Sequence, residues 1–263
     1  MNSPARWHLL STRPLSLSAP LSNAVAQAGG QLMPLDALDI ETRLGDDTLT
    51  RLLYALRKPL VLFTSPTAVN VAAEVLDLAG ALNRKTVIAT GAGTQKTLVN
   101  RGVRQTRAPD RMDSEGLLAM PELTEVDGQE IGLVTGVGGR GVLQPTLEAR
   151  GAVVTRADIY ARVPREITAS EWRAVCAAVG PRVLALTSAE AFENVLRWVP
   201  QDARFEDWLI VAASERLAKM ASNIEASQLP RYPETAAFSN RVVLAHSPMP
   251  EDLVAAALTA LRA

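Results

Sequence analysis

The chain has 263 residues, 48% of them hydrophobic and only 4% aromatic, with 27 basic and 28 acidic residues for a net charge of −1. That balance gives no basic face for nucleic acid and no acidic tail, so a nucleic-acid partner is not expected. One cysteine, Cys176, rules out an intramolecular disulfide, and two histidines, His8 and His246, are too few for a histidine-based zinc site.

Length allows two domains of ordinary size or one large one. No apolar run approaches the roughly 20 residues of a membrane-spanning helix. Met1–Arg6 leads directly into a strand-like run with no signal-peptide core. A cytoplasmic protein with no membrane partner is expected.

In chain order, Trp7–Thr12 reads as a strand and Ser16–Ala28 as a helix. Gly29-Gly30 closes that helix, since glycine accepts the left-handed cap conformation without steric cost. Gln31–Leu35 is the next strand, and Asp36–Leu44 is less regular. Val61–Ser65 is an apolar run ending in hydroxyls. Val69, Ala72, Ala73 and Leu76 follow at i, i+3, i+4, i+7, which is one apolar stripe of a helix. Ala89-Thr90-Gly91 ends a further apolar run. Then come Glu130–Thr135 as strand, Arg140–Arg150 as helix, Gly151 as its cap and Ala152–Arg156 as strand. Ala157–Thr168, which holds Pro164, is again less regular. Leu184–Ser188, the helical stripe Phe192, Val195, Leu196, Val199, and Ala212–Ser214 extend the series.

Much of this series occurs twice. Thr187-Ser188 lies 123 positions after Thr64-Ser65, Ser214 lies 123 after Gly91, and Phe192 lies 123 after Val69. The N-terminal unit returns as the strand at Glu130–Thr135, at a shift of 122 by the helix-closing Gly29 and Gly151. Alternating strand and helix with short apolar strands predicts parallel sheets covered by helices on both faces. Two similar α/β domains with a ligand cleft between them are therefore expected. Ligands of such sheets bind beyond the carboxyl ends of the strands. Thr12, Thr64-Ser65, Thr90-Gly91, Thr135-Gly136, Thr187-Ser188 and Ser214 fall at those ends.

Gly136-Val137-Gly138-Gly139-Arg140-Gly141 matches G-x-G-x-x-G between a strand and a helix, with Asp158 downstream. It is either a dinucleotide fingerprint or a tight strand-to-helix turn open to any anion. Thr64-Ser65-Pro66 and Thr187-Ser188 have the form of helix N-caps. The same helix starts carry free N–H groups that bind carboxylates, and one serine can cap a helix beside a bound ligand. Arg13, Arg140 and Arg216 each follow a strand end, as surface arginines or as anion ligands. Tyr160 either packs or donates a proton through its phenol.

These motifs, taken in order, resemble the uroporphyrinogen-III synthase family over nearly the whole length. The resemblance rests on Thr12-Arg13-Pro14, Phe63–Val69, Ala89–Thr94, Ser114–Leu118, Gly138-Gly139-Arg140, Tyr160–Pro164, Thr187-Ser188, Ser214–Ala218 and Ser247-Pro248. Thr135 stands where a basic residue is common in that family.

The resemblance implies a discontinuous first domain, 1–36 plus 166–263, an inserted second domain, 41–158, and a two-stranded linker at 37–40 and 159–165. It implies a monomer that closes hydroxymethylbilane, a linear tetrapyrrole with eight carboxylates, to uroporphyrinogen III with loss of water and inversion of the last ring. No metal or organic cofactor is required. Tyr160 would assist loss of the hydroxyl. Thr12, Arg13, Thr64, Ser65, Gly91, Thr94, Gly138, Arg140, Thr187, Ser188, Ser214 and Arg216 would hold the substrate's carboxylates. Two other readings compete: an NAD(P)-dependent oxidoreductase built on the Gly136–Gly141 turn, and a two-lobed anion-binding protein without catalysis.

Overall fold

The structure, a computed structural model, describes residues 7–13, 18–111, 114–138, 141–200, 208–223 and 241–262. The chain opens with β1 (His8–Ser11), α1 (Ala19–Gln27), β2 (Gln31–Pro34), β3 (Leu38–Thr42) and α2 (Asp46–Arg57). It continues with β4 (Leu60–Phe63), α3 (Pro66–Val75), α4 (Leu78–Ala81), β5 (Thr86–Ala89), α5 (Ala92–Asn100) and β6 (Thr106–Arg107). Next come α6 (Ser114–Leu118), α7 (Pro121–Thr124), β7 (Glu130–Gly136), α8 (Leu143–Ala149) and β8 (Val153–Pro164). The remainder is α9 (Ala169–Cys176), β9 (Arg182–Leu186), α10 (Ala189–Trp198), β10 (Trp208–Ala212), α11 (Glu215–Ser222), β11 (Val242–Leu244) and α12 (Pro250–Arg262).

The chain divides into two compact units, Met1–Asp39 with Val163–Ala263, and Ile40–Arg162. The first contains a five-stranded sheet, β11-β10-β9-β1-β2. In the second, a six-stranded sheet runs β3-β8-β7-β4-β5-β6. Apart from the added β3, the two sheets have the same strand order. Val61 pairs with Val87 on neighbouring parallel strands, and Leu184 pairs with Ile210 in the same register 123 residues on.

Parallel strands covered on both faces read as near-continuous apolar runs, as β4 does with Leu60–Phe63, all four buried. On β4, Val61 and Phe63 enter one core while Leu60 and Leu62 enter another. Leu10 and Leu9 on β1 divide in the same way in the first unit. Helix packing is close enough that a Cβ on Gly132 of β7 would come within 2.0 Å of the Ala55 carbonyl of α2.

The stretches expected to be irregular are strands. β3 occupies 38–42, and β8 runs unbroken from Val153 to Pro164. Apolar alternation is weak there because β3 is largely exposed, so periodicity carries no strand signal. Their backbone groups are paired nonetheless: Arg43 N–H donates to the Ile159 carbonyl, and Arg165 N–H to that of Ala37. Buried Asn194 of α10 donates to both the Ala37 and Arg165 carbonyls, at 2.6 and 2.7 Å.

Helix α9 starts on a capping box. Thr168 Oγ1 accepts from the Glu171 N–H, and Glu171 accepts from the Thr168 N–H. Arg165 donates to the Glu171 carboxylate, and this bond, with the Thr168 amide behind it, holds that carboxyl down at about 2. A carboxyl depressed in the folded state contributes stability above its ordinary value of 4.5 and loses it as pH falls toward 2. In acid titrations followed by circular dichroism, Glu171→Gln is expected to be less stable than the parent at pH 7. That difference should close between about pH 4.5 and 2.

Candidate functional site

In both units the candidate side chains cluster where a parallel strand hands over to a helix. Ser65 follows β4 and caps α3, its Oγ accepting the Ala68 N–H at 3.0 Å. Ser188 follows β9 and caps α10 through the Ala191 N–H at 3.3 Å, and Ser214 follows β10 and caps α11 through the Leu217 N–H at 3.4 Å. Each serine answers one of the donors that a helix start leaves unpaired. The remaining N–H groups of those first turns point along the helix axis, at its positive end.

In the second unit these strand ends are tied together. Thr64 Oγ1 donates to Thr135 Oγ1 at 2.7 Å, and Thr90 Oγ1 donates to the Thr64 carbonyl at 2.8 Å. Tyr160 Oη lies 3.0 Å from Ser65 Oγ. The tyrosine belongs to β8, not to an irregular stretch, and the residue is 4% exposed within the core. Val137 N–H donates to its carbonyl, and the ring lies flush on Gly136, where a Cβ would fall 2.5 Å from it. Gly91 forms the N-cap of α5, and Thr94 is buried in that helix's first turn.

In the first unit, Arg13 does the joining. Its Nε donates to Thr187 Oγ1 at 3.4 Å and its Nη2 to the Pro248 carbonyl at 2.9 Å. Burial pushes its guanidinium below its usual range. No carboxylate lies within ion-pair distance of it among the described residues. Thr12, beside it, is buried at the end of β1. Arg216 is exposed in the first turn of α11. Arg140 and Gly139 fall outside the described residues.

Sequence reasoning groups the strand-end hydroxyls but not their connections. Thr135 and Gly136 are absent from the expected set of substrate ligands, although Thr135 lies 123 residues after Thr12. That spacing is the available signal.

The described residues around the Gly136–Gly141 stretch do not suit a dinucleotide fingerprint. α8 begins only at Leu143, so Gly141 precedes the helix and cannot seat it against β7. Asp158, the acidic residue such a site would need, is gripped by Arg156 through Nε and Nη2. Gly138 has φ +83, a conformation that favours glycine in any tight turn. Among the described residues no group of three or more His, Cys, Asp or Glu could hold a metal ion, and no helix is long and apolar enough to cross a membrane.

Fold and site together define a two-unit parallel α/β protein with capped helix starts and hydroxyls at its strand ends, and a buried phenol beside one of them. A family model, HEM4, uroporphyrinogen-III synthase HemD, matches residues 19–237. The chain belongs to the uroporphyrinogen-III synthase family. It is 35% identical over 119 residues to uroporphyrinogen-III synthase of Salmonella typhimurium and, likewise, to that of Escherichia coli K12. Each match covers 44% of this chain and 48% of the relative, so the chain spans about half the length of the curated relatives it matches. Among solved structures it resembles uroporphyrinogen-III synthetase from Helicobacter pylori 26695, with a TM-score of 0.61 and 15% identity over 96% of this chain and 98% of that one. A mutant uroporphyrinogen III synthase from the extremely thermophilic bacterium Thermus thermophilus gives 0.52 and 16% over 97% and 98%. At those identities the likeness establishes the fold.

Replacing Gly136 by alanine should drive the Tyr160 ring from its seat. A crystal structure of Gly136→Ala is expected to show the Tyr160–Ser65 contact lengthened beyond hydrogen-bond distance.

Proposed function

We propose that the protein is a working uroporphyrinogen-III synthase, converting hydroxymethylbilane to uroporphyrinogen III and water. The observation that carries this is the Tyr160 phenol, held 3.0 Å from Ser65 among strand-end hydroxyls in a chain of this family. It acts as a cytoplasmic monomer on this small-molecule substrate, and β3 with the distal half of β8 forms a two-stranded linker between its domains.

The chemistry asks little of strong acids or bases. Tyr160 gives its proton to the departing hydroxyl, which leaves as water. The cationic pyrrole methylene that remains is attacked through the substituted carbon of the last ring. The spiro intermediate then fragments and recloses inverted. The proton lost as the pyrroles regain aromaticity restores the phenol, so the sum is loss of one water. Choosing this route over simple closure is a matter of holding a flexible chain in one geometry.

Anchoring falls to the amides and hydroxyls at Thr64-Ser65, Gly91, Thr94, Gly138, Thr187-Ser188 and Ser214, and to the guanidinium groups of Arg13, Arg140 and Arg216. Arg13 suits this role structurally: it is half-buried, fixed by neutral acceptors and without a counter-ion among the described residues.

The direct test is to supply hydroxymethylbilane and resolve the oxidised products by chromatography. Type III porphyrin is expected, and type I alone would overturn the proposal. Tyr160→Phe should lower kcat by roughly 10²-fold with little change in KM. Arg13→Ala should do the opposite, raising KM by about tenfold at nearly unchanged kcat.

A further inference from the structure

A phenol has one proton to give, and in a fixed ring only the rotation about its C–O bond decides where that proton points. Tyr160 is such a ring, buried and seated on Gly136. Its oxygen is 3.0 Å from Ser65 Oγ, and either atom can donate. Which one does so decides whether the phenol proton is spent inside the protein or is available to a ligand.

The surroundings of Ser65 bias that choice. Its Oγ already accepts the Ala68 N–H, a donor at the positive end of α3. A hydroxyl that accepts a hydrogen bond becomes a better donor through its own proton. The repeat supplies a comparison. Ser188 caps α10 in the same way, but the residue 122 positions before Tyr160 is Leu38, which has no hydroxyl to engage. Capping therefore accounts for Ser188 and leaves the second contact of Ser65 unexplained.

We infer that Ser65 is the positioning residue of Tyr160: oriented by the Ala68 amide, its hydroxyl donates to the phenol oxygen and turns the phenol proton outward to the substrate. This rests on the proposed role of Tyr160 as proton donor. When the phenol proton passes to the departing hydroxyl and the C–O bond breaks, the phenolate left behind keeps the Ser65 hydrogen bond, now charge-assisted. The proton freed on ring closure then returns to it. The Ser65 hydroxyl thus acts through Tyr160, which leaves the backbone amides of that turn to hold a substrate carboxylate.

Two readouts test this in the full-length protein: steady-state conversion of hydroxymethylbilane, and the 13C resonance of Tyr160 Cζ in protein carrying ring-labelled tyrosine. Tyr160→Phe assigns that resonance. Ser65→Ala is expected to shift the Cζ resonance and to lower kcat about tenfold with KM nearly unchanged. Ser65→Thr, which keeps hydroxyl and cap, should restore both. Asp77→Ala removes the cap of α4 in the same unit and should alter neither, which separates the effect from lost helix capping. The inference is overturned if Ser65→Ala leaves the resonance in place, or raises KM while kcat holds. If Tyr160→Phe itself turns over normally, the proposed role of Tyr160 fails, and the resonance still reports on the Ser65 contact.

Discussion

Everything at the strand ends follows from one constraint: a parallel strand passes directly into a helix whose first N–H groups have no partner within it. Serines at 65, 188 and 214 satisfy one such group each, and all three lie at the carboxyl edge of their sheets. The same edge then carries an array of donors, at the positive ends of several helices, facing the side where ligands of such sheets bind. Such an edge suits the polycarboxylate proposed as the substrate, because it offers donors without a fixed set of counter-ions. Its donors come with the fold.

The duplication distributes that edge over two units, and the likeness breaks at the end of one strand in each. Gly136 follows Thr135 at the end of the second unit's central strand, and its lack of a Cβ lets the Tyr160 ring lie flat. Arg13 follows Thr12 in the first unit and donates to Thr187 Oγ1 and to the Pro248 carbonyl, two residues before α12. One backbone turn thus accommodates a phenol in one copy and a guanidinium in the other. The two copies differ here at two places, Gly136 against Arg13 and Tyr160 against Leu38.

The energetic roles divide similarly. The cores are ordinary: aliphatic strands with helices on both faces, the sheets completed by strands of matching order. The polar features are concentrated at a few junctions. Asn194 fixes Ala37 and Arg165, and Glu171 ties Arg165 to the start of α9. Both secure the two chain segments that leave the first unit, where backbone groups would otherwise compete with solvent for partners.

Local chemistry in the sequence determined the parallel α/β class, the repeat, the helix starts and the set of strand-end hydroxyls. Apolar runs, capping serines and helix stripes act over a few residues, so they can be read without tertiary structure. Family membership was legible for the same reason, through an ordered series of short motifs. β3 and the distal half of β8 were not, because the backbone partners that join them lie more than a hundred residues apart and their side chains do not alternate. Nor could the sequence show that α8 begins only after Gly141 or that Arg156 takes the Asp158 carboxylate. Tyr160 illustrates the division. Its presence was visible from the start, but only folding laid its ring on Gly136 and its oxygen beside Ser65, which lies 95 positions away in the chain.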